Sequence, residues 1–284
     1  MNNMILREQD TLQYQEANIF PVLDNVLGSF QSRLNQFSPI SLEEVGKASL
    51  MDRQETKYIF HGDQVLGFLS ELESYYRVLE ITGQRICSYR TEYYDTSDFH
   101  FFQQHQNGSG RRWKIRQRTY LDSKANFLEV KYKDNRKRTR KSRIQTERNL
   151  DHFLDNENTF LSANVPCSLA ELDPKLEVWY TRTTLVKNDG LERVTLDSQL
   201  NYSNGNLSRD LEGLMIAEIK QAVYNPNSPF MNRMKRGGVR PSPFSKYCIG
   251  ISLLFPEIKH NRFKPILHRI SNLLGGDITN ERTQ

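Results

Sequence analysis

The chain has 284 residues, 37% of them hydrophobic, and a mean hydropathy of −0.68. That is enough apolar material for one large domain or two small ones, but no run approaches the length of a membrane-spanning helix. Net charge is +5, yet residues 110–148 hold 15 Lys and Arg against 4 Asp and Glu, so the rest is acidic and the basic segment suits an anionic partner.

The opening MNNMILREQD has no signal-peptide core. Residues 1–48 show helical patterns around Ile19–Leu34 and Leu42–Ala48, joined by NQFSPIS, and read as an N-terminal helical arm. DRQETKYIFH then alternates as a strand, and GDQVLGFLSELESYY puts Val65, Phe68, Leu69 and Leu72 on one helical face. RICSYRTEYYDT is strand-like. SDFHFFQQHQNG reads as a short helix with Ser97 or Asp98 as N-cap and Gly108 near its end. Strands follow at 111–121, 126–133 and 138–147, turned by DSKAN and DNRKR. Helical segments at 149–156 and about 158–164 precede PKLEVWYTRTTLVK and LERVTLDSQLNY, a hairpin through NDG. After the loop SNGNLSRD, LEGLMIAEIKQAV is the last strand. Beyond residue 250, Ile266, Leu267, Ile270, Leu273 and Leu274 form one helical stripe suited to packing on the exterior. The expected division is 1–48, 49–250 and 251–284.

Eight strands with short joins predict a mainly β (α+β) fold whose neighbours run antiparallel and close into a barrel packed by peripheral helices. One face of nearly every strand is charged. In RRWKIRQRTY, Arg112, Lys114, Arg116 and Arg118 share a face about 7 Å apart. Glu55 and Lys57, Glu129 and Lys131 (followed by Lys133), and Glu218 and Lys220 repeat Glu-x-Lys on three strands, with Lys141, Arg143, Arg182, Arg193 and Asp197 on others. Any one such pair is an ordinary surface ion pair worth under about 1 kcal/mol. Their recurrence beside the Arg/Lys row is better explained by a charged lumen. Cations would hold phosphate oxygens, and a carboxylate would hold a hard divalent cation. Cys87, Cys167 and Cys248 form no CxxC pair and read as reduced thiols. His61, His100 and His105 read as surface or packing residues, and RKRTRK (136–141) as a solvated basic turn whose Lys141 end enters the lumen.

RQETKYIF, YRTEYYDT, FHFFQQHQNG, KIRQRTY, LEVKYK, RKSRI, WYTRT, RVTLD, AEIKQA and PFSKYCIG occur in the order and spacing of the vacuolar transporter chaperone (VTC) domain. The chain resembles this polyphosphate-polymerase branch of the triphosphate tunnel metalloenzymes over roughly residues 50–250. The resemblance implies an eight-stranded tunnel that moves the ATP γ-phosphate to a growing polyphosphate chain and releases ADP, with Mn²⁺ or Mg²⁺ required. It implies Lys57, Arg116, Arg118, Lys131, Lys141, Arg182, Ser245 and Lys246 as phosphate ligands, with Tyr180 lining the site and Glu218 on the metal. Lys57, Arg116, Arg118, Lys131 and Lys246 are the expected catalytic group. Arg90 and Arg143 are further candidates, and Arg112 and Lys114 would serve the tunnel mouth.

Three departures shape the expectation. The hydrolase branch opens with Glu-x-Glu-x-Lys, whereas this chain has Arg53-Gln54-Glu55-Thr56-Lys57, which favours the polymerase. Residues 1–48 are too short for the SPX domain of fungal relatives. No membrane domain is apparent, so a stand-alone cytoplasmic enzyme is expected, with ATP and inorganic polyphosphate as partners, no nucleic acid, and a membrane-associated partner left open. The alternatives are a metal-dependent triphosphatase or nucleotide hydrolase of the same fold, and a non-catalytic module that binds polyphosphate or RNA.

Overall fold

Eleven strands share one sheet in the computed structural model, which describes residues 21–47, 54–136, 138–147 and 153–278. The spine runs β2 (Gln54–His61), β11 (Leu214–Gln221), β9 (Glu192–Ser203), β8 (Asp173–Lys187), β4 (Cys87–Asp95), β5 (Arg112–Tyr120), β6 (Ala125–Lys133) and β7 (Thr139–Thr146), antiparallel throughout. These are the eight strands predicted from alternation. The short strands β1 (Pro39–Ile40), β3 (Tyr76–Leu79) and β10 (Ser208–Leu211) were not predicted. β10 begins inside the expected loop SNGNLSRD and pairs with β9, β3 pairs with β8, and β1 lies parallel to β3. Two to four residues carry too little alternation to announce a strand.

The sheet is open, which corrects the expected closed barrel. Its ends, β2 and β7, do not pair with each other. The free edge of β2 is met by a passing segment: Pro241 bridges Tyr58, and Ser242 N donates to Lys57 O at 2.8 Å. Pro241 and Pro243 lack N–H groups, so this segment cannot extend a ladder. At the other end, β7 exposes Arg140, Lys141 and Arg143, a charged edge of the kind that resists further pairing.

Apolar residues of the spine pack outward under helices. Tyr58, Phe60, Leu196, Ala217 and Ile219 meet α1 (Pro21–Leu34), α3 (Asp63–Leu69) and α6 (Pro229–Arg236) through Phe30, Phe68 and Phe230. Ile115, Leu128 and Val130 meet Phe101 of α4 (His100–Gln106) and Leu161 of α5 (Asp155–Asn164). Slipping β5 by one residue would strip Ile115, now 0% exposed, of about 1.5–3 kcal/mol and press arginines against the helices. The charged face is therefore the concave one. α2 (Leu42–Lys47) sits beside β1 and β3, where Val45 shares a small cluster with Ile40, Leu79 and Val186.

Two helix expectations need correcting. The N-cap of α4 is Phe99, at φ +59°, and not Ser97 or Asp98. Asp95 does the capping, accepting from Phe101 N and Phe102 N at 2.9 Å each. The helix expected at about 158–164 lies within α5, and of the one expected at 149–156 only residues 155 and 156 are helical among those described; residues 148–152 lie outside the described residues, as do Arg53 and residues 1–20. Among the described residues no helix is long and apolar enough to cross a membrane.

α7 (Lys246–Leu254) lies on the concave side, where Tyr247, Ile251 and Leu254 join Leu176, Val178 and Tyr202 of the sheet. Ile266, Leu267 and Ile270 of α8 (Lys264–Leu274) belong to the same cluster, so its stripe packs on the protein, but with the concave-side cluster and not on the exterior as expected. α7 comes close through Gly250, where a Cβ would stand 2.5 Å from Leu176 and 2.7 Å from Tyr202. Gly250→Ala is expected to cost about 1–3 kcal/mol by overpacking, read as a lower midpoint in thermal unfolding.

Candidate functional site

Register gathers the charged face. Lys57 lies opposite Glu218, and Glu55 opposite Lys220. Arg182 lies opposite Asp197, Arg116 opposite Glu129, and Glu129 opposite Arg143. Lys114, Lys131 and Lys141 are directly opposite one another across β5, β6 and β7. The sheet curls enough that its two ends feel each other: Glu55, Glu218 and Lys57 near one edge act on the charge of Lys131 near the other.

Three carboxylates of this face each hold two cations. Glu129 accepts from Arg116 Nε at 2.6 Å, with Arg118 Nη1 at 3.9 Å. Asp197 accepts from Arg182 Nε at 2.5 Å and Nη2 at 2.8 Å, and also from Lys246 Nζ. Glu218 holds Lys57 Nζ at 2.9 Å and Lys220 Nζ at 3.6 Å. Burial alone would raise the pKa of each acid, and the cations outweigh it. Glu129 is held down to about 2 by Arg116 and Arg118, while Asp197 and Glu218 are held well below the usual carboxylate range. Each acid thus fixes two donors in place and leaves the trio with a surplus positive charge.

The lysine row is built differently. Among the described residues Lys114, Lys131 and Lys141 form no ion pair, and Lys114 donates to Ser245 Oγ at 2.7 Å. With Arg116, Glu129 and Arg143 they line a cavity of about 290 Å³. Burial and the neighbouring cations Lys114 and Lys57 push Lys131 down to about 8, and burial with Arg182 and Lys57 does the same to Lys220. Lys141 is pushed the same way, but it is exposed on the edge strand, where solvent screens the effect. Like charges set directly opposite repel, so an anion bound along the row would be favoured.

Lys131 and Lys220 therefore titrate lower folded than unfolded. Between about pH 8 and 10.5 the unfolded chain holds more protons, and this contribution to stability rises with pH through that window. A bound anion reverses the shift. Tripolyphosphate binding at about pH 8.5 is expected to take up protons, seen as buffer-dependent heats in calorimetry, with little uptake near pH 6.5. Equal heats in all buffers at the higher pH would refute the arrangement.

Tyr180 is buried between Arg118, Arg182 and Lys246, and its Oη has no hydrogen-bond partner. An unsatisfied polar atom ringed by cations fits an oxygen-rich anion. The chemistry available is binding and charge neutralisation.

The structure brings together every predicted site residue: Lys57, Arg116, Arg118, Lys131, Lys141, Tyr180, Arg182, Glu218, Ser245 and Lys246. Ser245 is the N-cap of α7, accepting from Cys248 N, so the helix start faces the groove with Lys246 beside it. Lys114 belongs to the inner row, not the mouth. Arg90 points to the other face, paired with Glu177 and stacked over Trp179. Arg143 does join the concave face, over the Phe127 ring. Arg193 reaches away to Val45 O at 2.9 Å. His105 is buried against Tyr247 and pushed down to about 2, first by burial and then by Lys114, so it packs as a neutral ring. The cysteines are free thiols. The anchoring roles of Glu129 and Asp197 were missed, although both lie on the charged face read from the sequence.

Among the described residues no cluster of three or more His, Cys, Asp or Glu could hold a metal ion by itself. One carboxylate, Glu218, with Glu55 two residues from Lys57, fits a cation that arrives on phosphate oxygens and takes few protein ligands.

The family described as VTC domain matches residues 52–255. No curated protein matches the chain. Among solved structures, a candidate adenylate cyclase from Bacillus halodurans is 14% identical with a TM-score of 0.47, covering 72% of this chain and 100% of that one. A candidate adenylyl cyclase from Hippeastrum, described as having a dominant triphosphatase activity, is 12% identical with a TM-score of 0.46 over 71% of this chain and 96% of that one. A further candidate adenylate cyclase, from Vibrio parahaemolyticus, is 14% identical with a TM-score of 0.42, over 69% and 95%.

Proposed function

The chain belongs to the VTC-domain family, and from that premise we propose that it is an ATP-dependent polyphosphate polymerase. The observation that carries this reading is the concave face. Three acids each orient two cations, and an unpaired lysine row lies beside them. Such a face suits a run of phosphates better than a single anion.

In the proposed reaction a terminal oxyanion of polyphosphate attacks the γ-phosphorus of ATP. A new P–O bond forms, the bond from the γ-phosphorus to the β,γ-bridging oxygen breaks, and ADP leaves with that electron pair. The attacking group is already ionised, so a strong general base is unnecessary. The protein's part is alignment and charge neutralisation. Arg116, Arg118 and Arg182 are fixed forks for phosphate oxygens. Lys57, Lys131, Lys141 and Lys246 add compact charge, and Ser245 and Tyr180 offer hydroxyls. Glu218 would hold Mn²⁺ or Mg²⁺, which when bound would supply charge neutralisation to the phosphates.

One observation favours the hydrolytic alternative: β2 and β7 do not pair with each other, so the groove does not exclude water by closure of the sheet. Incubation with ATP and Mn²⁺ separates the readings. A ladder of long phosphate chains with stoichiometric ADP is the expected result. Free phosphate alone would make the protein a hydrolase, and no ADP with any divalent metal would make it a binding module.

A further inference from the structure

We infer that Tyr247 is a positioning residue, which sets Lys246 and Arg116 through a latch on Asp95. The inference rests on the proposed anion-binding reading of the groove. Asp95 is 0% exposed and accepts from Thr96 N at 2.8 Å, Phe101 N and Phe102 N at 2.9 Å, and the Tyr247 hydroxyl, with the Thr96 hydroxyl more distant at 3.5 Å. Of the four shorter bonds, three fix the start of α4. The last comes from α7, so this carboxylate ties a helix lying on the concave face to the rigid end of β4.

Tyr247 lies directly between site groups. It follows Lys246 in the chain, and Lys246 is the second cation on Asp197. Its ring packs on Tyr93 at 5.3 Å between centroids, and Tyr93 lies directly opposite Arg116 across β4 and β5. Phe102 and His105 border the same ring, at 6.2 Å each. The ring is thus held on several sides, and the hydroxyl adds a tie from the first turn of α7 to the end of β4, beside the close packing at Gly250 and the bond from Lys114 to Ser245. Without that tie the ring stays buried, but the first turn of α7 is held less tightly, and with it the ammonium of Lys246. Small displacements of a phosphate ligand matter because alignment supplies much of the catalysis.

Tyr247→Phe removes the hydroxyl and keeps the ring, and Asp95 retains its three backbone donors, so the variant should fold. The test is a double-mutant cycle on tripolyphosphate affinity, measured calorimetrically with wild type, Tyr247→Phe, Lys246→Ala and the double variant. We expect Tyr247→Phe to weaken binding about 5–10-fold when Lys246 is present and under about 2-fold when it is absent. Equal losses in both backgrounds, or no loss in either, would overturn the inference, since a merely structural role lowers thermal stability without coupling to Lys246. Because binding is the readout, a wild type that binds tripolyphosphate but makes no polymer would sink the polymerase reading and leave this test intact. A wild type that does not bind it would sink both.

Discussion

Arg116→Ala is expected to lower kcat/KM for ADP release by about 10²–10³-fold, the loss typical of one preorganised donor aimed at developing charge. Arg116 sits at the centre of the arrangement, bonded to Glu129 and adjacent to Tyr93, with Lys114 two residues before it on the same strand face. Its removal also leaves Glu129 with Arg118 alone, at 3.9 Å. Part of the effect should therefore appear as lost stability of about 1–3 kcal/mol at neutral pH, where Glu129 is ionised. Arg116→Lys separates charge from geometry. It keeps a cation beside Glu129 but gives up the fork, and a loss of about 10-fold is expected. Steady-state ADP release measured beside thermal unfolding decides the matter. Activity within about 2-fold of wild type for a folded Arg116→Ala protein would remove this residue from the site.

Glu218→Gln is expected to move two measurements in opposite directions. The carboxylate holds Lys57 and Lys220 in place, but its own charge also opposes any polyanion. In metal-free buffer with chelator, tripolyphosphate should bind the variant more tightly, by a few-fold, because a negative charge has left a partly desolvated groove. Metal-dependent ADP release should fall by about 10²-fold, because the best-placed carboxylate for a phosphate-borne cation is gone. If both quantities fall together, Glu218 serves only to orient its lysines and the metal role is wrong.

The eight long strands and the face each one presents were legible in the sequence, because alternation records which side is buried. Ile115 and Arg116 could not both face the helices, and β5 shows how cleanly that rule sorts them. The Glu-x-Lys repeats likewise marked strands whose charges share a face. What could not be read was who sits opposite whom. Glu129 bracketed by Arg116 and Arg118, and Asp197 by Arg182 and Lys246, are products of register and of helix placement, and the latter pair spans 49 residues. Arg90 shows the same limit: a candidate for the groove, it is paired with Glu177 on the other face, decided by its place between Tyr89 and Thr91. Closure was over-read. Eight antiparallel strands can form a barrel, but prolines at 241 and 243 in the segment along β2 give the edge a different neighbour. Helix α7 on the concave side left no periodic trace, since KYCIGISLL is apolar nearly all round.

The lysine row has a consequence for how the protein should behave when handled. Lys114, Lys131 and Lys141 were placed side by side by folding, and Glu129 in the same cavity is committed to Arg116. Part of the free energy gained in the packed layers is thus offset by their mutual repulsion, which a bound anion would relieve. By mass action, ligand at a hundred times its dissociation constant adds about 2.7 kcal/mol to such a fold. Phosphate-rich buffer is then a structural component of the preparation, and a protein stripped of anions is the less stable of the two.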